Sequence, residues 1–137
     1  MGADQFDMVV DVCLRGAFLC GREAAAHMVE GKVEDGIIIN MASASYKGNY
    51  GQSNYSAAKA GLVAMTKVWS KELGRYGIRS VAIAPGPIDT DMLRQMPPEA
   101  LEALAAQVPL RRIGSVDNIS KLIGQLIEND FITGEVV

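Results

Sequence analysis

The chain has 137 residues, 49% of them apolar and 21% charged, with a formal net charge of −3. That length bounds it to one modest domain with a real core, and the composition argues against disorder. No basic stripe stands ready to neutralise phosphates along a nucleic acid, so that partner class is set aside, although one nucleotide could still be held by helix N-termini and backbone amides.

In chain order, apolar residues recur at helical spacing from Asp4 to about Met28, through Phe6, Val9, Val10, Cys13, Leu14, Ala17, Phe18, Gly21, Ala24 and Ala25. A long helix is expected there, with Asp4 as its N-cap and Gly31 as its stop. Asp4, Asp7 and Asp11 in this stretch do not fit a signal peptide, and no apolar run is long enough to span a membrane. Cys13 and Cys20 would lie about 10 Å apart along the helix, too far for a disulfide. His27 is the only histidine, so no zinc cluster assembles at the usual spacings, and His27 itself reads as a surface or helix-end residue. A reduced, cytoplasmic setting is expected.

Gly36 to Ala42 is a largely β-branched run without alternation, the pattern of a parallel strand covered on both faces. A polar loop, 43–51, separates it from a second long helix over about Gln52 to Tyr76, broken by Gly74 and Gly77. Residues 78–84 predict the next strand, ended by Pro85-Gly86-Pro87. Helices follow around Pro98–Gln107 and Val116–Glu128, and 133–137 predicts the start of a third strand. Alternating strands and helices give an α/β class with parallel right-handed crossovers. Two or three strands make a poor sheet, so the chain is expected to be part of a larger one.

Tyr55 and Lys59 lie four apart on the second long helix, hence on one face. An ammonium beside a phenol favours the phenolate, which suits a tyrosine to give a proton to a carbonyl oxygen or take one from an alcohol. Alone, such a pair is common on ordinary solvated helices, but its context is not ordinary. Gly36-Ile-Ile-Ile-Asn-Met-Ala-Ser43, Gly48-Asn-Tyr-Gly-Gln-Ser-Asn-Tyr55-Ser-Ala-Ala-Lys59 and Pro85-Gly-Pro-Ile-Asp-Thr-Asp-Met92 occur in order, followed by Pro109-Leu-Arg-Arg-Ile-Gly114 and Thr133-Gly134. Together they resemble the short-chain dehydrogenase/reductase family, particularly its bacterial 3-oxoacyl-acyl-carrier-protein reductase-like members.

The resemblance implies a partial Rossmann-like, doubly wound parallel sheet, a single incomplete nucleotide-binding domain over 1–137. It implies NAD(P)-dependent hydride transfer between nicotinamide and a small-molecule carbonyl or secondary alcohol, with a 3-oxoacyl thioester as the leading substrate. Tyr55 would be the general acid/base, Lys59 would hold the cofactor ribose, and Ser43 would hydrogen-bond the substrate oxygen, with Ser45 as the alternative serine. Pro85, Gly86, Ile88 and Thr90 would contact the nicotinamide half of NAD or NADP, whose preference is not readable. The family's first-helix Asn-x-x-Gly is Cys13-Leu-Arg-Gly16 here, and a thiol cannot replace a carboxamide's paired donor and acceptor. The family's Thr-Gly-x-x-x-Gly-x-Gly loop is not found in these residues, and without it most nucleotide affinity is expected to be lost. An intact relative would be a homo-oligomer, a dimer or tetramer built on the two long helices. The rival reading is a truncated, inactive fragment that serves at most as an oligomerisation module.

Overall fold

Both strands and five of the helices fall where the sequence pattern places them, and the computed structural model describes all residues, 1–137. The chain divides into two compact units, Met1–Ala84 with Asn129–Val137, and Pro85–Glu128.

In the first unit, the opening helical stretch is not one regular helix. Helix α1 (Ala3–Val10) runs into a π-helical turn, Asp11–Arg15, and then α2 (Gly16–Glu30). The Gly16 N–H reaches back five residues to the Asp11 carbonyl, which defines the wider turn. The N-cap is Gly2 rather than Asp4: the Gln5 side-chain oxygen accepts from the Gly2 N–H at 3.0 Å, placing Asp4 in the first turn. An acidic residue there still suits the partial positive charge of a helix N-terminus.

Strand β1 (Gly36–Met41) pairs in parallel with β2 (Ile78–Ile83), Gly36 opposite Ile78 and Met41 opposite Ile83. The expected third strand is present as a pairing rather than a full strand. Ala82 donates to the Glu135 carbonyl at 3.0 Å, Val137 to Ala82 at 3.0 Å, and Ala84 to Val137 at 2.7 Å. This places β2 in the middle of the sheet, and every one of its residues is buried. Strand β1 keeps β2 as its only ladder neighbour.

Between the strands runs α3 (Ser53–Leu73), whose buried face carries Ala58, Leu62, Val63, Thr66 and Trp69. Ala42, Val63 and Ala82 form a core joined by Tyr46, Ala84 and Val136. Small residues let the long helices approach closely. A Cβ on Gly21 would run into the Trp69 ring, and one on Gly61 would stand 2.8 Å from Leu14 Cδ2. A short 3-10 turn, Gly74–Tyr76, ends α3, and Gly77 at φ 72° takes the left-handed conformation that a glycine adopts without strain, before β2 begins. Arg79 is buried on β2, yet its guanidinium is neutralised by Asp35 at 3.0 Å and donates to the Asn129 carbonyl at 2.9 Å.

The second unit holds α4 (Asp91–Arg94), α5 (Pro98–Gln107) and α6 (Val116–Glu128). Pro98 opens α5 at a position where a missing N–H costs nothing. The segment after Pro87 is pinned by Gly114, which donates to the Pro87 carbonyl at 3.0 Å and accepts from Asp89 at 2.8 Å.

Candidate functional site

The C-terminal end of β1 and the first half of α3 bring three of the sequence-predicted residues into one neighbourhood. Tyr55 stands in the first turn of α3 and Lys59 one turn later. The Lys59 ammonium lies 5.5 Å from the Tyr55 ring centroid, so the pair does share a face, as the four-residue spacing requires. The same ammonium donates to the Met41 carbonyl at 2.7 Å. That bond ties α3 to the last residue of β1, two residues before Ser43.

Ser43 is half-buried and extended, and its Oγ accepts from the Ser45 N–H at 3.2 Å. It thereby caps a 3-10 turn, Ala44–Lys47, and its hydroxyl hydrogen stays free to donate. Ser45 lies inside that turn, where its carbonyl accepts from Gly48. Asn54 steadies the start of α3: its Oδ1 accepts from the Tyr55 N–H at 2.8 Å while its Nδ2 donates to the Gln5 carbonyl at 3.1 Å.

Pro85, Gly86, Ile88 and Thr90 belong to the second unit. Ile88 bridges Gly114, and Thr90 precedes α4, where its carbonyl accepts from Arg94 at 2.9 Å. Asp89 and Arg94 form a two-pronged ion pair at 2.8 and 3.1 Å. The hydrogen bond from Arg94 holds the Asp89 carboxyl below its ordinary value of 3.8, and the same bond raises the guanidinium.

A groove of about 540 Å³ runs along β1 in the first unit, lined by Val12, Cys13, Cys20, Ile37, Ile39 and Lys59 among others. Cys13, which stands where the resemblance expects an asparagine, therefore opens on the same groove as Lys59. Both cysteines are free. No three metal-ligating side chains gather anywhere, and no helix is long and apolar enough to cross a membrane.

Two features of this region were not singled out from the sequence. The Met41 carbonyl is a backbone group, invisible to any reading of side chains. Asn40 did leave a signal, as the one carboxamide inside an otherwise apolar strand. It is buried, and its Nδ2 donates to Thr66 Oγ1 at 2.9 Å.

A parallel sheet, helices connecting its strands, and a Tyr–Lys pair beside a strand end are the marks of a partial Rossmann-like α/β fold. Comparison with known proteins agrees. The whole chain, 1–137, matches the family described as enoyl-(acyl carrier protein) reductase. It is 37% identical to 3-oxoacyl-[acyl-carrier-protein] reductase of Thermotoga maritima over 140 residues, covering 100% of this chain and 56% of that protein. Against the (2S)-[(R)-hydroxy(phenyl)methyl]succinyl-CoA dehydrogenase subunit of Thauera aromatica it is 40% identical over 134 residues, 96% of this chain and 53% of the relative. Human (3R)-3-hydroxyacyl-CoA dehydrogenase is 36% identical over 140 residues, with 100% and 53% covered. The chain belongs to the short-chain dehydrogenase/reductase family. It spans about half the length of the curated relatives it matches.

Proposed function

We propose that this chain carries the proton-handling side of an NAD(P)-dependent oxidoreductase that interconverts a carbonyl and a secondary alcohol. The observation that supports this most is the position of Lys59, over the Tyr55 ring and bonded to the strand-end carbonyl beside Ser43. One cation thus ties the helix that carries the Tyr55 phenol to the strand end two residues before Ser43. Such pre-set geometry is what a proton transfer and a developing oxyanion require.

The residues fit the nicotinamide–ribose end of a dinucleotide. An ammonium has three donors, and Lys59 spends one on Met41, leaving two for the ribose hydroxyls. When bound, the nicotinamide supplies or accepts the hydride. Tyr55 Oη gives its proton to the substrate oxygen in reduction and takes it back in oxidation. The Ser43 hydroxyl donates to the same oxygen, held in place by the Ser45 N–H. The Lys59 charge stabilises negative charge on the Tyr55 oxygen while its remaining donors orient the ribose. Pro85, Gly86, Ile88 and Thr90 are the further contacts we assign to the nicotinamide half. No glycine-rich phosphate loop is found in these 137 residues.

For substrate we favour a 3-oxoacyl thioester or its 3-hydroxy partner, because the relatives' names specify acyl-carrier-protein or CoA substrates. The test is nuclear magnetic resonance titration of the chain with reduced nicotinamide mononucleotide, which has the proposed end of the cofactor and lacks the rest. Shifts should centre on Ser43, Tyr55 and Lys59, and Lys59→Ala should abolish them. An unchanged spectrum at all three positions would overturn the assignment.

A second reading is favoured by exposed apolar residues on α1, α2 and the turn between them. Phe6, Met8, Val12, Phe18 and Leu19 all face solvent in the single chain. They support a role for these helices in a homodimer or tetramer. Sedimentation equilibrium checks this, and a monomer at all concentrations would count against it.

A further inference from the structure

We infer that Asn54 is a positioning residue for Tyr55: its carboxamide sets the phenol-bearing turn of α3 against α1, while Lys59 is held separately by β1. The inference rests on the reading of Tyr55 as the proton-transfer group.

Helix α3 begins without the usual side-chain cap. The first N–H groups of a helix have no partner inside it, and the N-cap side chain ordinarily takes the N–H of the second or third helical residue. Gln52 holds the N-cap position and makes no such bond. Its side-chain oxygen accepts instead from Asn49 Nδ2 at 3.2 Å. The helical pattern starts with the Ser56 N–H on the Gln52 carbonyl at 2.8 Å. Tyr55, the third residue of α3, therefore lies in a turn whose N–H groups need partners from elsewhere. Asn54 Oδ1 takes the Tyr55 N–H at 2.8 Å.

A bond to the next residue's N–H closes the turn but gives it no outside reference. The other end of the carboxamide supplies one. Asn54 Nδ2 donates at 3.1 Å to the carbonyl of Gln5, 49 residues away on α1. Gln5 is fixed in its turn, because its side-chain oxygen accepts from the Gly2 N–H at 3.0 Å. The arrangement needs an acceptor and a donor on one small planar group, which is what asparagine offers. A carboxylate keeps the first bond and loses the second. An aliphatic side chain loses both.

Lys59 has a different anchor. Its ammonium donates to the Met41 carbonyl at 2.7 Å, so it is tied to the end of β1. The 5.5 Å between the ammonium and the Tyr55 ring centroid thus separates two groups held from different elements. Loss of the Asn54 link releases the phenol and leaves the ammonium in place. Proton transfer depends on alignment, so a loosened Tyr55 weakens the site without unfolding the chain.

The test compares the whole chain with its Asn54→Asp and Asn54→Leu variants by nuclear magnetic resonance. Aspartate still accepts from the Tyr55 N–H, so the fold and the slow exchange of that amide should survive. Leucine brings no charge. What both variants lack is the donor to Gln5. Both should lose the Overhauser contact between the Tyr55 ring and the Lys59 side chain, with the Met41 carbonyl resonance unmoved. Both should bind reduced nicotinamide mononucleotide about fivefold more weakly, the worth of one hydrogen bond. A full Tyr55–Lys59 contact in Asn54→Asp would overturn the proposal and leave Asn54 a helix cap. A Met41 carbonyl that moves together with Tyr55 would also overturn it, because the two anchors would not be separate. If the unaltered chain gives no response to the nucleotide, the reading of Tyr55 falls, and the Overhauser comparison still decides the role of Asn54.

Discussion

Replacing Gly21 by alanine tests whether α2 and α3 pack as closely as the structure shows. In an open helix position the change is favourable by about 1 kcal/mol, because alanine is the better helix former. At Gly21 the added methyl runs into the indole of Trp69, itself only 8% exposed and without room to withdraw. Overpacking of this kind costs about 1–3 kcal/mol. Gly124, inside α6, supplies the internal control, since a Cβ there meets nothing within 4 Å. Gly124→Ala should therefore show the propensity gain alone, and Gly21→Ala should fall about 1–3 kcal/mol below it. The assay is urea unfolding followed by circular dichroism, with Trp69 fluorescence reporting on the packed ring. Adding Trp69→Leu to Gly21→Ala should recover much of the difference, giving a coupling of about 1 kcal/mol or more in a double-mutant cycle. Equal stabilisation by the two alanines, with no coupling to position 69, would refute the close helix contact.

Two further outcomes follow from single polar groups. Ser80 is fully buried on β2 and its Oγ has no hydrogen-bond partner, so Ser80→Ala should stabilise the chain by about 1 kcal/mol in denaturant unfolding, and a loss of that size would show a hidden partner. The Asp89 carboxyl should titrate below 3.8 by nuclear magnetic resonance and return toward that value in Arg94→Gln. A carboxyl lowered in the folded state contributes above its unfolded value and loses that contribution as pH falls through the folded one. The Asp89–Arg94 link therefore loosens only in strong acid, and a midpoint at or above 3.8 would show that the pair does not form in solution.

The local elements were legible because each has a local cause. The isoleucine run at 37–39 announced the strand, although Ile37, Ile38 and Ile39 stay half-buried beside the groove rather than covered on both faces, and Gly74 and Gly77 announced the end of α3. The π-helical turn at Asp11–Arg15 was not legible, because apolar periodicity reports which face is buried and not which carbonyl each N–H chooses. The first cap was misplaced for a related reason: Asp4 has the stronger preference as a residue type, yet Gln5 reaches back to Gly2 and sets the start two residues earlier. At the site, the Tyr55–Lys59 spacing was enough to place both on one face. The bond from Lys59 to Met41 spans 18 residues and ends on a backbone oxygen, so nothing in the identity of either residue foretold it.

Removing that bond separates a structural role for Lys59 from a chemical one. Lys59→Met keeps most of the apolar stem and deletes the ammonium. The bond to Met41 lies in an exposed setting, where water replaces much of what is lost, so the fold should lose about 1 kcal/mol or less. The spectral response to reduced nicotinamide mononucleotide should vanish, because the ribose donors and the charge over Tyr55 go together. A core residue behaves the other way round: truncating Leu62, 2% exposed on α3, should cost about 2–5 kcal/mol before any ligand is added. If Lys59→Met proves as destabilising as Leu62→Ala while the nucleotide response survives, Lys59 is a strut between α3 and β1. A stable fold that no longer responds would instead place the ammonium among the groups that meet the cofactor.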